Sequence, residues 1–353
     1  MMNTVSYRRW MSTASLLVAV AFSAPAQAGV ATTLYSSLFV FGDSLSDPGN
    51  NAAVLFSPPY SNPPFSLSPT LPTQITGNSF VAFSPYASGT YSNGPVWAQI
   101  LAPRLGAGVT ANAWLQGGTN FAFGGAETSF AAPIPGFSGA TTFSLQSQLN
   151  AYLTQSSGVA DGHAIYVLEG GANNVRRLLG TGEVFDSVTV ALEAAKYAKD
   201  VGGLVDQLQA AGAKNIIVWN TPNVGLNPES LFFGSALSSA ASAAAEQFNN
   251  ALATRLAGEA GVKTFDVYST SAAAASNPAA FGLTNVNTAC GNNASGCGAK
   301  PLYWDGIHPT TAGHQLLADG VFALAVPVPE PSTYALFAVG LTGCGWAARR
   351  RRG

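Results

Sequence analysis

The amino-acid sequence predicts an α/β fold, a three-layer sandwich in which five parallel strands form the middle layer. Five short apolar runs lack the alternation of a half-exposed strand, which is typical of a sheet covered on both faces. Stretches with the apolar spacing of helices separate these runs, and strands that alternate with helices form parallel sheets. The chain contains no internal repeats.

The predicted strands are, in chain order, 38–41, 120–123, 164–168, 215–219 and 262–268. Helices are predicted over 96–105, 188–208 and 241–256, where apolar residues recur at helical spacing. Right-handed crossovers bring the loops after the strands to one edge of the sheet, where such folds build their sites.

Residues 1–28 are predicted to be a secretory signal peptide. Arg8 and Arg9 precede an apolar run, 11–22, that is too short to span a bilayer. Ala26-Gln27-Ala28 has the A-x-A form of a cleavage site, so signal peptidase is an expected partner. The alternative is an N-terminal membrane anchor.

The C-terminal segment, 328–353, also has three parts. The sequence Val-Pro-Glu-Pro-Ser-Thr is followed by fifteen apolar residues, 334–348, and by four arginines. The apolar stretch and the arginines predict a short transmembrane tail that halts export of the chain through the membrane and keeps its basic end in the cytoplasm. The segment closely resembles the PEP-CTERM sorting signal, which implies processing by an exosortase during export in Gram-negative bacteria. The alternative is a plain C-terminal anchor.

Between these signals, 29–327 is predicted to form one domain. It carries 9 basic and 16 acidic residues, a net charge of about −7 at neutral pH. A chain of this charge has no basic field to attract nucleic acid. Within it, 48–93 is rich in Pro, Ser and Asn and is too long for an ordinary connection. It is either a wall or lid over the site or a surface excursion.

Candidate chemistry begins directly after the first predicted strand, where Ser44 follows Gly42 and Asp43. The chain contains no G-x-S-x-G, so the nucleophile elbow of α/β-hydrolases is absent. A serine nucleophile needs a base, and the chain has only three histidines. His308 follows Asp305 by three residues, so one tight turn can place the carboxylate on the imidazole.

The other two histidines have simpler interpretations. His163 precedes the third predicted strand and therefore lies at the opposite edge of the sheet, so a structural role is expected. His314 is expected on the next helix, where packing or capping explains it.

Gly42-Asp43-Ser44-Leu45 together with Asp305-x-x-His308 resembles the SGNH, or GDSL, esterase and lipase superfamily. Further matches occur in order between these two motifs, at 92–97, 118–126, 171–174 and 221–228. The resemblance covers roughly 38–324. It implies the SGNH-hydrolase three-layer fold, hydrolysis of carboxylic esters, and no cofactor.

The resemblance also assigns roles. Ser44 would be the nucleophile, His308 the general base and Asp305 the residue that orients it. The oxyanion hole would combine the backbone N–H groups of Ser44 and Gly125 with the Asn173 side chain. The alternative for Asn173 is a role in an Asx turn, which the other matching positions make less favourable. The chain departs from the family's pattern at 174, where Asn replaces the usual Asp, which puts only loop hydrogen bonding in doubt.

Cys290 and Cys297 lie close together in a chain predicted to be exported, and similarly placed pairs occur in some relatives. A disulfide is therefore expected, and two free thiols are the alternative. No cluster of metal-ligand residues is apparent in the sequence, so a catalytic metal is not expected.

These observations predict an exported, metal-independent serine esterase or lipase that forms an acyl-Ser44 intermediate. Its substrates would be lipids or short acyl esters. One alternative is an esterase that removes acetyl groups from acylated sugars of the extracellular matrix. Another is a non-catalytic surface or matrix protein. The expected location is the cell envelope, outer surface or extracellular matrix of a Gram-negative bacterium.

Overall fold

A computed structural model describes residues 34–55, 77–106, 108–133, 139, 141–179, 186–291 and 297–326. The predicted signal peptide, the predicted transmembrane tail and part of the 48–93 segment lie outside the described residues. Within the described part of the chain, no helix combines the length and the apolar character that crossing a membrane requires.

The sheet has four parallel strands in the order β1, β2, β3, β4, which are Leu38–Phe41, Ile165–Leu168, Asn215–Trp219 and Val262–Phe265. Leu38 is paired with Ile165, Ile165 with Asn215, and Ile216 with Val262. The predicted α/β class is confirmed, and the predicted count of five strands is wrong.

The missing strand is 120–123, which runs along the free edge of β1 without forming a regular ladder. Phe121 N donates to Val40 O at 2.8 Å and Phe123 N donates to Gly42 O at 3.1 Å, but only an isolated bridge forms, at Asn120. The fifth predicted strand, 262–268, is three residues too long, because the observed strand ends at Phe265. The Asp266 side chain accepts from Ser269 N and starts a helix at Val267.

The helices of the described residues are α1 (Asn50–Leu55), α2 (Trp97–Leu105), α3 (Leu145–Gln155), α4 (Ala172–Leu179), α5 (Ser187–Ala211), α6 (Pro228–Phe232), α7 (Ser235–Arg255), α8 (Val267–Ser276) and α9 (Thr311–Ala325). The predicted helices 96–105, 188–208 and 241–256 correspond to α2, α5 and α7. The ends of α5 are set by the Asp186 side chain, which accepts from two backbone N–H groups, and by Gly212 at φ 112°.

Alternate strand residues face two separate cores, which makes the three layers. Phe41, Tyr166 and Val218 pack with α3, α5 and α7 on one face. Val40 and Val167 pack with α2 and α9 on the other. A small two-stranded parallel sheet, β5 (Asn285–Ala289) and β6 (Pro301–Tyr303), precedes the last turn before α9.

Candidate active site

Three of the predicted site residues meet at the carboxyl edge of the sheet. Ser44 lies in the loop after β1, and its Oγ is 2.9 Å from His308 Nε2. His308 Nδ1 is 2.6 Å from Asp305 Oδ2. Ser44, His308 and Asp305 are 7%, 2% and 0% exposed. The structure therefore joins a hydroxyl, an imidazole and a carboxylate in one buried line of hydrogen bonds.

A tight turn between β6 and α9 holds the imidazole and the carboxylate together. Asp305 Oδ1 accepts from the backbone N–H groups of Ile307 at 2.9 Å and His308 at 2.7 Å. Trp304 N closes the turn by donating to His308 O at 2.8 Å. The spacing of three residues thus allows one carboxyl group to hold both the turn and the ring.

The part of 48–93 that the structure describes covers this turn. Tyr86 OH donates to Asp305 Oδ2 at 2.7 Å, and the Tyr91 ring lies 5.1 Å from the His308 ring. Burial raises the pKa of Asp305, but the neighbouring His308 and the hydrogen bonds from its side chain and backbone outweigh burial and hold that pKa below its usual value. The sequence did not single out Tyr86 or Tyr91.

Gly125 and Asn173, the other two predicted residues, border the space next to Ser44. Gly124 N donates to Asp47 Oδ2 at 3.0 Å, whereas Gly125 N has no acceptor among the described residues. Gly125 has φ 78°, which favours glycine. Asn173 Nδ2 donates to Ala126 O at 3.0 Å and to Asp43 Oδ2 at 3.2 Å.

Asp47 ties the serine loop to the Gly124–Gly125 turn. Its buried carboxyl group accepts from four backbone N–H groups, those of Gly49, Asn50, Asn51 and Gly124. Burial raises the pKa of Asp47 to about 6 against the opposing effect of these N–H groups. Tyr91 fixes the other side of the turn, because a β-carbon at Gly124 would lie 2.2 Å from its ring.

Two cavities meet at Ser44, and both are also bordered by Asn173 and His308. The first, about 90 Å³, is mainly apolar and is lined by Val224, Val267, Ala274, Leu302, Ile307 and Leu317. The second, about 310 Å³, is more polar and is lined by Tyr91, Gly125, Glu127, Thr142, Arg176 and Arg177. Ser44 therefore borders both an apolar space and a larger, more polar space.

The two remaining histidines lie outside this line of hydrogen bonds. The His163 side chain is 92% exposed beside Asp161. His314 is buried in the first turns of α9, and burial, aided by the charge of His308, lowers its pKa to about 3. A neutral His314 packed in the core agrees with the predicted packing role.

Cys290 and Cys297 form a disulfide with a Cα–Cα distance of 5.9 Å. Cys290 N donates to Tyr303 O at 3.1 Å, so the bridge lies beside the strand that leads to Asp305. Across the described ranges, no group of three or more His, Cys, Asp or Glu side chains is arranged to hold a metal ion.

Curated relatives are similar in sequence to most of this chain. Esterase EstA of Pseudomonas aeruginosa is 29% identical over 333 residues, which cover 82% of this chain and 47% of the relative. A GDSL esterase/lipase of Arabidopsis thaliana is 23% identical, with 90% of this chain and 98% of the relative covered. The chain spans about half the length of the Pseudomonas relatives that it matches.

A solved acetylxylan esterase from Geobacillus stearothermophilus matches with a TM-score of 0.41 and 16% identity, over 84% of this chain and 97% of that one. A PEP-CTERM protein-sorting motif matches residues 327–352, and such a motif indicates export in Gram-negative bacteria. The model of the GDSL-like lipase/acylhydrolase family matches residues 38–321, which include every residue of the site. The chain therefore belongs to the GDSL-like lipase/acylhydrolase family.

Proposed function

We propose that the protein is an exported serine esterase that hydrolyses carboxylic esters through an acyl-Ser44 intermediate. The observation that carries this proposal is the continuous line of hydrogen bonds from Ser44 Oγ through His308 to Asp305, beside two cavities that Ser44 borders. Family membership supports the reaction class.

In the first half of the reaction, Ser44 Oγ attacks the ester carbonyl carbon and its proton passes to His308 Nε2. The Asp305 carboxylate, held below its usual pKa, stabilises the imidazolium that forms. When the C–O bond to the alcohol breaks, the alcohol takes the proton from Nε2. Water then attacks acyl-Ser44 by the same route and releases the acid.

The tetrahedral intermediate needs donors for its oxyanion, and the proposed donors are Ser44 N, Gly125 N and Asn173 Nδ2. Neither backbone N–H has an acceptor among the described residues, so both are available. Removing one such donor costs about 2.7–4 kcal/mol of transition-state stabilisation in a serine hydrolase.

The two cavities support a division of the substrate. The apolar cavity takes the acyl chain, because apolar atoms gain free energy when they leave water. The larger polar cavity takes the alcohol. Lipids and short acyl esters are the substrates that this division favours first.

A second candidate is an O-acetyl esterase that acts on extracellular polysaccharide. The second cavity favours it, since its lining includes Arg176 and the Arg177–Glu127 ion pair, polar groups that suit a sugar. The sorting motif is consistent with a matrix substrate. We propose that signal peptidase and an exosortase process the two ends and that the domain, 29–327, acts at the cell envelope or in the matrix.

A panel of p-nitrophenyl esters from acetate to long chains, with purified 29–327, tests the proposal. We expect turnover at pH 8 that Ser44→Ala abolishes. A maximum of kcat/KM at chains longer than acetate supports lipids or short acyl esters as substrates. Activity confined to the acetate ester supports the acetyl esterase. No turnover of any ester, or equal turnover by Ser44→Ala, refutes the function.

A further inference from the structure

A pair of buried carboxyl groups lies next to Ser44 and has no part in the reaction as described. Glu169, directly after β2, and Asp43, directly before Ser44, are each 1% exposed. Arg176 acts on Asp43 through its charge alone and is itself paired with Glu229 at 3.0 Å. The two carboxyl groups are within hydrogen-bond reach of each other. Since no cation pairs directly with either of them among the described residues, the cost of burying their charge must be lowered in another way.

The hydrogen bonds around Glu169 determine which of its oxygens can carry a proton. Oε2 accepts from Asp43 N at 2.9 Å and from Ser46 Oγ at 2.9 Å. The Ser46 hydroxyl donates here because its oxygen already accepts from Trp97 Nε1 at 2.9 Å. Oε1 is buried, and the described residues offer it no donor. A buried carboxylate oxygen without a donor is costly, but a protonated one can itself donate.

We propose that Glu169 is a neutral carboxylic acid whose Oε1 donates to the Asp43 carboxylate and thereby positions the Asn173 amide beside Ser44. This inference rests on the proposed function, which gives Asn173 its place in the oxyanion hole. Two adjacent carboxyl groups in one buried site share a proton, because both cannot be charged at low cost. Burial, and next to it the charge of Asp43, raise the pKa of Glu169 well above its usual value.

The proton matters because Asp43 and the oxyanion compete for the same amide. Asn173 Nδ2 donates to Asp43 Oδ2 at 3.2 Å, a bond that must weaken when the amide turns to the tetrahedral intermediate. A hydrogen bond from Glu169 stabilises the Asp43 carboxylate when its bond from Asn173 weakens. Without the proton, Asp43 holds the amide more tightly, and a second negative charge opposes the oxyanion. Glu169 is therefore a positioning residue that acts through Asp43 and Asn173.

Other charged and titratable groups surround the pair, and the pH dependence must be separated from theirs. They are Tyr91, Arg176 of α4, Tyr197 of α5 and His308. Substitution of Glu169 alone leaves all of them in place. A change in the pH profile of that variant therefore identifies the contribution of Glu169.

The first test is the pH dependence of kcat for the wild type, Glu169→Gln and Glu169→Ala. The Gln amide can donate to Asp43 while its oxygen accepts from Asp43 N and Ser46. We expect Glu169→Gln to keep kcat at neutral pH and Glu169→Ala to lose about tenfold or more, with KM unchanged in both. In the wild type, kcat falls at alkaline pH as Glu169 ionises, and Glu169→Gln lacks that fall.

Equal alkaline profiles of wild type and Glu169→Gln would overturn the proposal, and so would a folded Glu169→Gln as impaired as Glu169→Ala. Asp161→Asn, at the opposite edge of the sheet, is the matched acid-to-amide control. We expect it to keep the wild-type profile.

A second test does not depend on activity. Infrared spectra at pH 7 should contain a carbonyl stretch of a protonated carboxylic acid that Glu169→Gln removes. Glu127→Gln should keep that band, because Glu127 is paired with Arg177 at 2.9 Å. If Glu169→Gln removes no band, the proposal is wrong even in an active enzyme. If Ser44→Ala retains full activity, the proposed function fails and the infrared result still decides the protonation of Glu169.

Discussion

Within the described residues, the Asp305 carboxylate has five hydrogen-bond donors, and three of them belong to its own turn and to the His308 ring. The phenol of Tyr86 and the backbone N–H of Ala82 reach it from a segment more than two hundred residues earlier in the chain. A carboxylate held from several directions keeps one orientation toward His308. The segment 77–93 therefore takes part in orienting the proposed base.

Replacing Tyr86 by Phe removes one donor from Asp305 and leaves the ring in place. We expect kcat to fall about tenfold with little change in KM, because a hydrogen bond to a charged group contributes about 1.5–3 kcal/mol. Initial rates at saturating concentrations of a short-chain ester measure this fall in kcat. His163→Ala, at an exposed position on the opposite edge, should retain wild-type kcat. An unchanged kcat in Tyr86→Phe would show that the backbone donors suffice.

Among individual residues, the sequence predicted those that belong to short local motifs. Ser44 follows a strand end, and Asp305 and His308 share a turn, so local spacing together with the family resemblance identified them. Tyr86, Tyr91 and Glu169 were missed for a physical reason. Their importance depends on which distant chain segment packs against them, and no local pattern among the tyrosines of 77–93 contains that information.

At the scale of elements, continuous apolar strands and long helices were predictable, because burial on both faces and helical spacing leave a clear periodic signal. Short connections that hold the site were not. The pair β5 and β6 is only half buried and carries polar residues, so it has no apolar run. The edge segment 120–123 has the composition of a strand, but its ladder is interrupted where the chain turns toward Gly124.

On the proposed function, the face of α8 that borders the apolar cavity should set the length of acyl chain that fits. Val267, Thr270 and Ala274 line this cavity at helical spacing. We expect Thr270→Phe to lower kcat/KM for an octanoate ester roughly tenfold and to spare the acetate ester, since each methylene kept out of the cavity forfeits about 0.8 kcal/mol. The p-nitrophenyl ester series measures the profile.

Ala273→Phe provides the matched control for α8, because Ala273 is exposed and does not border the cavity. Its chain-length profile should equal that of the wild type. A uniform loss across all esters in Thr270→Phe would contradict an acyl-binding role for this face.

The disulfide closes a short loop between β5 and β6, next to the strand that enters the Asp305 turn. Replacing both Cys290 and Cys297 by Ser should lower the free energy of unfolding by about 2 kcal/mol, because the unfolded chain regains the freedom of that loop. Urea unfolding measures it. Reductant should shift the wild type to the value of the variant and leave the variant unchanged. Equal midpoints for the two proteins would contradict a stabilising bridge.

For the whole molecule, buried His314 makes stability depend on acid pH. The folded protein keeps this ring neutral down to about pH 3, whereas the unfolded chain takes up a proton below about pH 6.5. Protonation therefore favours the unfolded state, and the free energy of unfolding falls as pH decreases through this window, by up to about 1.4 kcal/mol per pH unit.

Replacing His314 by Leu removes this proton uptake. Urea unfolding at pH 7 and pH 4.5 should show a smaller loss of stability in the variant than in the wild type, whatever the two stabilities are at pH 7. The carboxyl groups are the same in both proteins, so their contribution cancels in the difference. An equal loss in the two proteins would mean that His314 already accepts a proton in the folded state.

Ser44 and His308 are 264 residues apart, and this separation has a consequence for the cell that makes the protein. At about 5–20 residues per second, a ribosome adds His308 tens of seconds after Ser44. Until then the serine has no base, so the nascent chain is unable to attack esters of the producing cell. On the proposed function, the nascent enzyme is latent until the ribosome has added His308.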